Sequence, residues 1–147
     1  MKPYFILFVI LNLQFCINMD KINDQNELND NKSKWEATST KNYEIKLKSI
    51  CNCMMNGTYL IVVKNGIVDT VIPDTAVYPE INPSQYSHVS TVESLFKNIQ
   101  DAIDENAEKL SVVYNKKYGY PEKIEIDMNL KAIDDEYYYE IKEIKIN

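Results

Sequence analysis

Two β-branched runs joined by an Asn-Gly pair constrain this chain more than any other feature. Thr58–Val63 and Ile67–Ile72 flank Lys64-Asn65-Gly66. Asn and Gly supply the positive φ angles of a tight hairpin turn, so the two runs are expected to pair antiparallel. The remaining segments then have to extend or cover a sheet. Tyr43–Ser49 alternates apolar and charged residues, the pattern of a half-buried strand. Leu110–Tyr114 and Lys123–Met128 add strands, the second with Ile124, Ile126 and Met128 facing inward. A last strand runs from about Glu136 to Ile146. There Tyr137, Tyr139 and Ile141 share one parity, Ile144 and Ile146 the other. A period-two strand cannot change face without a slip, which predicts a β-bulge near Lys142-Glu143.

One segment has helical rather than strand periodicity. Val92, Leu95, Phe96, Ile99, Ala102 and Ile103 recur at spacings of three and four, which forms one continuous apolar face. Ser90-Thr91-Val92-Glu93 in front of it has the form of a capping box, so a helix is expected over about Thr91–Ala107. Pro73–Val89, holding Pro73, Pro79 and Pro83, reads as a long irregular connection. The expected fold is α+β: an antiparallel sheet of five or six strands with one main helix packed on one face.

The N-terminus has a different character. Lys2 precedes the nearly all-apolar Phe5–Leu13, the layout of a secretory signal. The run is shorter than the roughly 20 apolar residues that span a bilayer. Leu13-Gln14-Phe15-Cys16 resembles a bacterial lipobox, with Phe15 standing where a small residue is usual. Cys16 is therefore a lipidation candidate, and plain secretion is the alternative. Ile17–Lys34 is rich in Asn, Asp and Lys; such composition buries too little apolar surface to offset its ordering entropy. The expected organisation is a signal peptide over 1–16, a disordered polar linker over 17–34 and a single α+β domain over 35–147. Trp35, the only tryptophan, would open the ordered part as a core anchor.

The chain has 16 basic residues, all lysine, so it lacks the bidentate guanidinium fork that suits phosphate and carboxylate recognition. Loss of Lys2 with the signal leaves 15 lysines against 22 acidic residues, a net charge of −7. Such a chain is repelled by nucleic acid and by anionic membrane surfaces. A nucleic-acid partner is thereby disfavoured, and contact with a membrane is expected only through a lipid anchor.

Several landmarks together resemble an exported bacterial family, domain of unknown function 6174. They are Trp35, Asn42-Tyr43, Cys51-Asn52-Cys53, Val63-Lys64-Asn65-Gly66, Thr91-Val92-Glu93-Ser94-Leu95-Phe96, Val113-Tyr114, Tyr118-Gly119-Tyr120-Pro121, Ile126-Asp127 and Asp134-Asp135-Glu136. The similarity covers about Trp35 to Ile146. Asn115 departs from it, since the family tends to have aspartate after the tyrosine. The resemblance implies an exported, often lipid-anchored domain and no known activity.

Three constellations could carry chemistry. Cys51 and Cys53 would meet an oxidising compartment after export. They are open to reading as a disulfide, as two buried thiols or as a redox pair. A thiolate metal site would need two more ligands, which the single His88 cannot complete. Asp127, Asp134, Asp135 and Glu136 bracket a short turn. They suit a hard cation such as calcium, although no Asp-x-Asp-x-Asp-Gly pattern is present; a solvated charged turn is the alternative. Tyr114, Tyr118, Tyr120 and Tyr138 are binding candidates, set against ordinary sheet packing with hydroxyls at the rim. Of Tyr137, Tyr138 and Tyr139, at least one must point outward. His88 lies beside Ser87 without a nucleophile motif, so no catalytic residue and no cofactor is assigned. The expected function is an exported, non-enzymatic domain that binds a protein or other cell-envelope ligand. The alternatives are a thiol-active envelope protein using Cys51 and Cys53, and a cation-binding domain using the turn 127–136.

Overall fold

A computed structural model of the chain describes residues 4–146, with side chains from residue 20 onward. The side chains of residues 1–16, including Cys16, lie outside the described set. Six antiparallel strands form one sheet: β1 (Tyr43–Ile50), β2 (Gly57–Lys64), β3 (Ile67–Pro73), β4 (Lys109–Tyr114), β5 (Pro121–Asp127) and β6 (Glu136–Ile146). Their order across the sheet is β3-β2-β1-β6-β5-β4, so the last strand pairs with the first. Two helices, α1 (Tyr4–Ala37) and α2 (Val92–Asp104), pack against each other. The fold is α+β, with six strands and a second helix beside the main one.

Alternation decides which side chains meet the helices. Tyr43, Ile45 and Leu47 of β1, Tyr59, Ile61 and Val63 of β2, and Ile124 and Ile126 of β5 are buried in one core with α2. From above, α2 buries Val92, Leu95, Phe96, Ile99, Ala102 and Ile103, the full set read from the sequence. The other sheet face carries alternating charges that pair across strands, such as Lys145 with Glu44. The predicted bulge is present. Lys46 faces Glu143 and Leu47 faces Ile141, which leaves Lys142 unpaired and moves Ile144 back toward the core side. Hairpin β2–β3 turns through Asn65 and Gly66, both at positive φ. The long connection after β3 contains a 3-10 helix over Pro83–His88, and buries Ile81 and Val89.

The region 17–34 differs most from expectation. From residue 20 it is the C-terminal part of α1, docked on α2 instead of disordered. The docked stripe is Lys21, Asp24, Gln25, Leu28, Asn31 and Trp35, a helical face on which only two residues are apolar. Two of its polar members find partners on α2 or just beyond its end, and Asn31 bonds within α1. Gln25 and Gln100 exchange two hydrogen bonds (2.9 and 2.8 Å), and Lys21 donates to Asn106 (2.9 Å). Leu28 and Trp35 supply the apolar contact. Composition predicts disorder when apolar surface is scarce, but a single buried stripe needs few apolar residues once its polar groups are paired.

Candidate functional site

At one end of the sheet the disulfide loop and the acidic turn approach each other. Beyond β1 the chain bends sharply at Cys51–Cys53, whose sulfurs lie at bonding distance and whose Cα atoms are 5.2 Å apart. Cys51 is buried and Cys53 exposed. The buried Ser49 hydroxyl donates to the Met55 carbonyl and closes the loop. Because β6 pairs with both β1 and β5, this loop stands next to the β5–β6 turn.

Between them lies a cleft of about 490 Å³. Ile50, Cys51 and Asn52 form one wall; Asp127, Asp134, Glu136, Tyr137 and Tyr138 form the other. Lys109 and Glu125 close it from the β4 side. Lys109 bonds Glu125 at 3.0 Å, and with Lys123 holds that carboxyl below its usual range. Among the described residues, Asp127, Asp134 and Glu136 make no ion pair, and one oxygen each of Asp127 and Asp135 is shielded without a hydrogen-bond partner. Asp135 does not line the cleft. No three His, Cys, Asp or Glu side chains among the described residues converge closely enough to hold a metal ion.

The tyrosine candidates separate. Tyr138 alone reaches the cleft. Its ring lies between Lys48 (5.6 Å) and Lys123 (5.4 Å), and its hydroxyl donates to Glu140 at 2.6 Å. That hydrogen bond, with partial burial, pushes the phenol up to about 12. Tyr114, Tyr118 and Tyr120 belong to the opposite end, around the β4–β5 turn. Tyr114 stacks on Phe96, and burial followed by the charges of Glu27 and Asp24 raises its pKa. Tyr120 is buried edge-on against Trp35, and Tyr118 lies under Lys117. These three pack the fold together and form no common surface with Tyr138.

Glu93 has a different role from the one its sequence position suggests. It was expected to serve a box capped by Ser90, but the cap is one residue later. Thr91 accepts from the Ser94 amide at 3.3 Å, and Ser94 accepts from the Thr91 amide at 2.7 Å. The Glu93 carboxylate instead accepts from the Trp35 indole (3.1 Å) and the Tyr43 hydroxyl (2.5 Å). Tyr43 accepts in turn from the Val92 amide at 3.1 Å. Burial, then the Glu93 hydrogen bond and charge, raise the Tyr43 pKa. This node ties α1, β1 and the start of α2 together.

The order of these landmarks along one fold bears on identity. Residues 27–146 match the model of a family of unknown function, DUF6174. The chain belongs to this family. None of the curated proteins and none of the solved structures matches it. The match begins at Glu27, inside α1, so the DUF6174 domain takes in the docked turns of that helix. Its landmarks here are largely architectural. Asn42 accepts from the Asn65 amide at 2.9 Å and braces the hairpin turn. Gly119, at φ +80°, lets the Asn31 carbonyl of α1 approach so closely that a Cβ would collide with it. Asn115 accepts from the Lys117 and Tyr118 amides (3.1 and 2.9 Å), turn-capping that an aspartate also performs. It also donates to Glu122 at 2.7 Å, which an ionised aspartate could not do. Cys51-Asn52, Ile126-Asp127, Asp134 and Glu136 are the landmark residues that meet at the cleft.

Proposed function

We propose that this chain is an exported, lipid-anchored domain that binds a protein or other cell-envelope ligand in the cleft between the disulfide loop and the acidic turn. One observation carries the binding assignment. Three carboxylates without ion-pair partners among the described residues line a cleft whose remaining walls include Ile50, Tyr137 and Tyr138. Such a lining suits a ligand that presents a positive charge on an apolar body, because the carboxylates gain a partner while the stem displaces water. The charged start and apolar run before Cys16 support export and anchoring.

A photoreactive residue at position 52 in intact cells tests the reading. A discrete adduct is expected from position 52 and none from position 116, at the far end of the sheet. Asp127→Asn combined with Glu136→Gln is expected to remove the adduct. Equal labelling from both positions, or labelling indifferent to the double substitution, would refute it.

A thiol-active role is a second reading, favoured by the exposure of Cys53. Attack on Cys53 by an external thiolate would release Cys51 as a thiolate within the carboxylate-lined cleft, where neighbouring negative charge opposes that product. Thiol titration before and after mild reduction tests it; a bond that resists glutathione would exclude the role.

A further inference from the structure

The direction of α1 bears on how the domain stands relative to the envelope. Lys21 contacts Asn106, Gln25 contacts Gln100 and Trp35 contacts Glu93, so α1 runs antiparallel to α2. The chain therefore enters the domain beside the C-terminal end of α2. The start of β4, the β5–β6 turn and the disulfide loop occupy this same end. The Asn65-Gly66 turn and the β4–β5 turn lie at the opposite end.

We infer that the loop end of the domain rests on the surface of the membrane to which the N-terminal segment attaches the chain. This rests on the anchoring reading above and deepens it by assigning an orientation. Five peptide steps separate Cys16 from Lys21. They reach about 8 Å as a helix and about 17 Å fully extended. An anchor at Cys16 thus holds this end close to the headgroups, with no long spacer between.

The surface presented there suits the contact. Leu130 is 63% exposed and Ile133 85% on the β5–β6 turn, while Met54 on the disulfide loop is 42% exposed. Ile50, half-exposed, ends β1 just before the disulfide loop and lines the cleft. Isolated exposed aliphatics are ordinary, whereas several on two adjoining loops mark a contact surface. The carboxylates of the acidic turn repel anionic lipid, so the lipid charge does not provide the attraction. The tether does: a short link keeps the surface at an effective concentration on the order of millimolar. The cleft then opens toward the membrane surface, and its ligand is met there.

Depth-dependent quenching tests the orientation. The full chain, processed in cells, is reconstituted into phosphatidylcholine vesicles with brominated acyl chains. Leu130→Trp is compared with Lys116→Trp, each over the common background of buried Trp35. The emission added at position 130 is expected to be largely lost relative to unbrominated vesicles, and that added at 116 retained. Equal loss from both, or greater loss at 116, overturns the orientation. Should Leu130→Trp fail to fold, Ile133→Trp carries the same expectation. Quenching at 130 only when envelope protein is co-reconstituted would assign the surface to a protein and overturn the lipid contact. A chain that does not float with the vesicles refutes the anchoring reading itself, and the orientation with it.

Discussion

Glu93 has two roles open to it, and the fold uses it for only one. As the third residue after Ser90 it could have closed a capping box, but Thr91 and Ser94 cap α2 between themselves. Both carboxylate oxygens are thereby left to accept from Trp35 and Tyr43. Glu93→Ala is expected to cost about 2–4 kcal/mol, because hydrogen bonds to a charged group are the stronger kind and a buried indole and phenol would lose their acceptor. A double-mutant cycle with Trp35→Phe by urea denaturation checks the coupling; strictly additive losses would contradict the node. Tyr43 of this node and Tyr114 near the β4–β5 turn give a pH dependence. Tyr43 and Tyr114 are raised above the ordinary tyrosine range, mainly by burial. An unfolded chain releases these protons from about pH 10, while the native state retains them. Stability present below about pH 10 is therefore lost as pH rises beyond it. Tyr43→Phe and Tyr114→Phe are expected to flatten that decline, read from denaturation midpoints across about pH 8 to 11.

Among the elements, α1 depends on the closeness of one backbone contact. Gly119 combines a positive φ with a backbone approach that a methyl group would block, whereas Gly66 has a positive φ and open space around it. Comparing Gly119→Ala with Gly66→Ala separates the two causes. The second is expected to cost about 1–2 kcal/mol from conformation alone. The first adds overpacking against α1, for about 2–4 kcal/mol in all. It should also raise hydrogen exchange in residues 20–37; equal costs, or unaltered exchange in α1, would count against the docking role. The strands and α2 were legible because each depends on a local period: two along the strands, three and four along the helix. The bulge at Lys142 was legible for the same reason, as the parity change within Tyr137–Ile146 has no other solution. Residues 17–34 were misread because the docked stripe is mostly polar, and no local pattern distinguishes a polar side chain with a distant partner from one in water.

For the molecule as a whole, the disulfide is a minor staple and the sheet order is the main determinant. A bridge between Cys51 and Cys53 closes so short a loop that the double Cys→Ser variant is expected to lose only about 1.5 kcal/mol, measured by denaturation. A loss of the size usual for long-loop bridges would show that the loop supports more of the fold. The cleft, in contrast, exists because β6 lies between β1 and β5, which brings residues 50–52 beside residues 125–138. The chain alone determined its strands, its main helix, its bulge and its family, since these follow from the order of neighbouring residues. Tertiary structure decided which of the sequence candidates meet. It joined Cys51, Asp127, Asp134, Glu136 and Tyr138 at one end, and dispersed Tyr114, Tyr118 and Tyr120 into the packing of the other. It also decided the docking of α1, through partners such as Lys21 and Asn106 that stand 85 positions apart. Pairing over that separation leaves no trace in local periodicity.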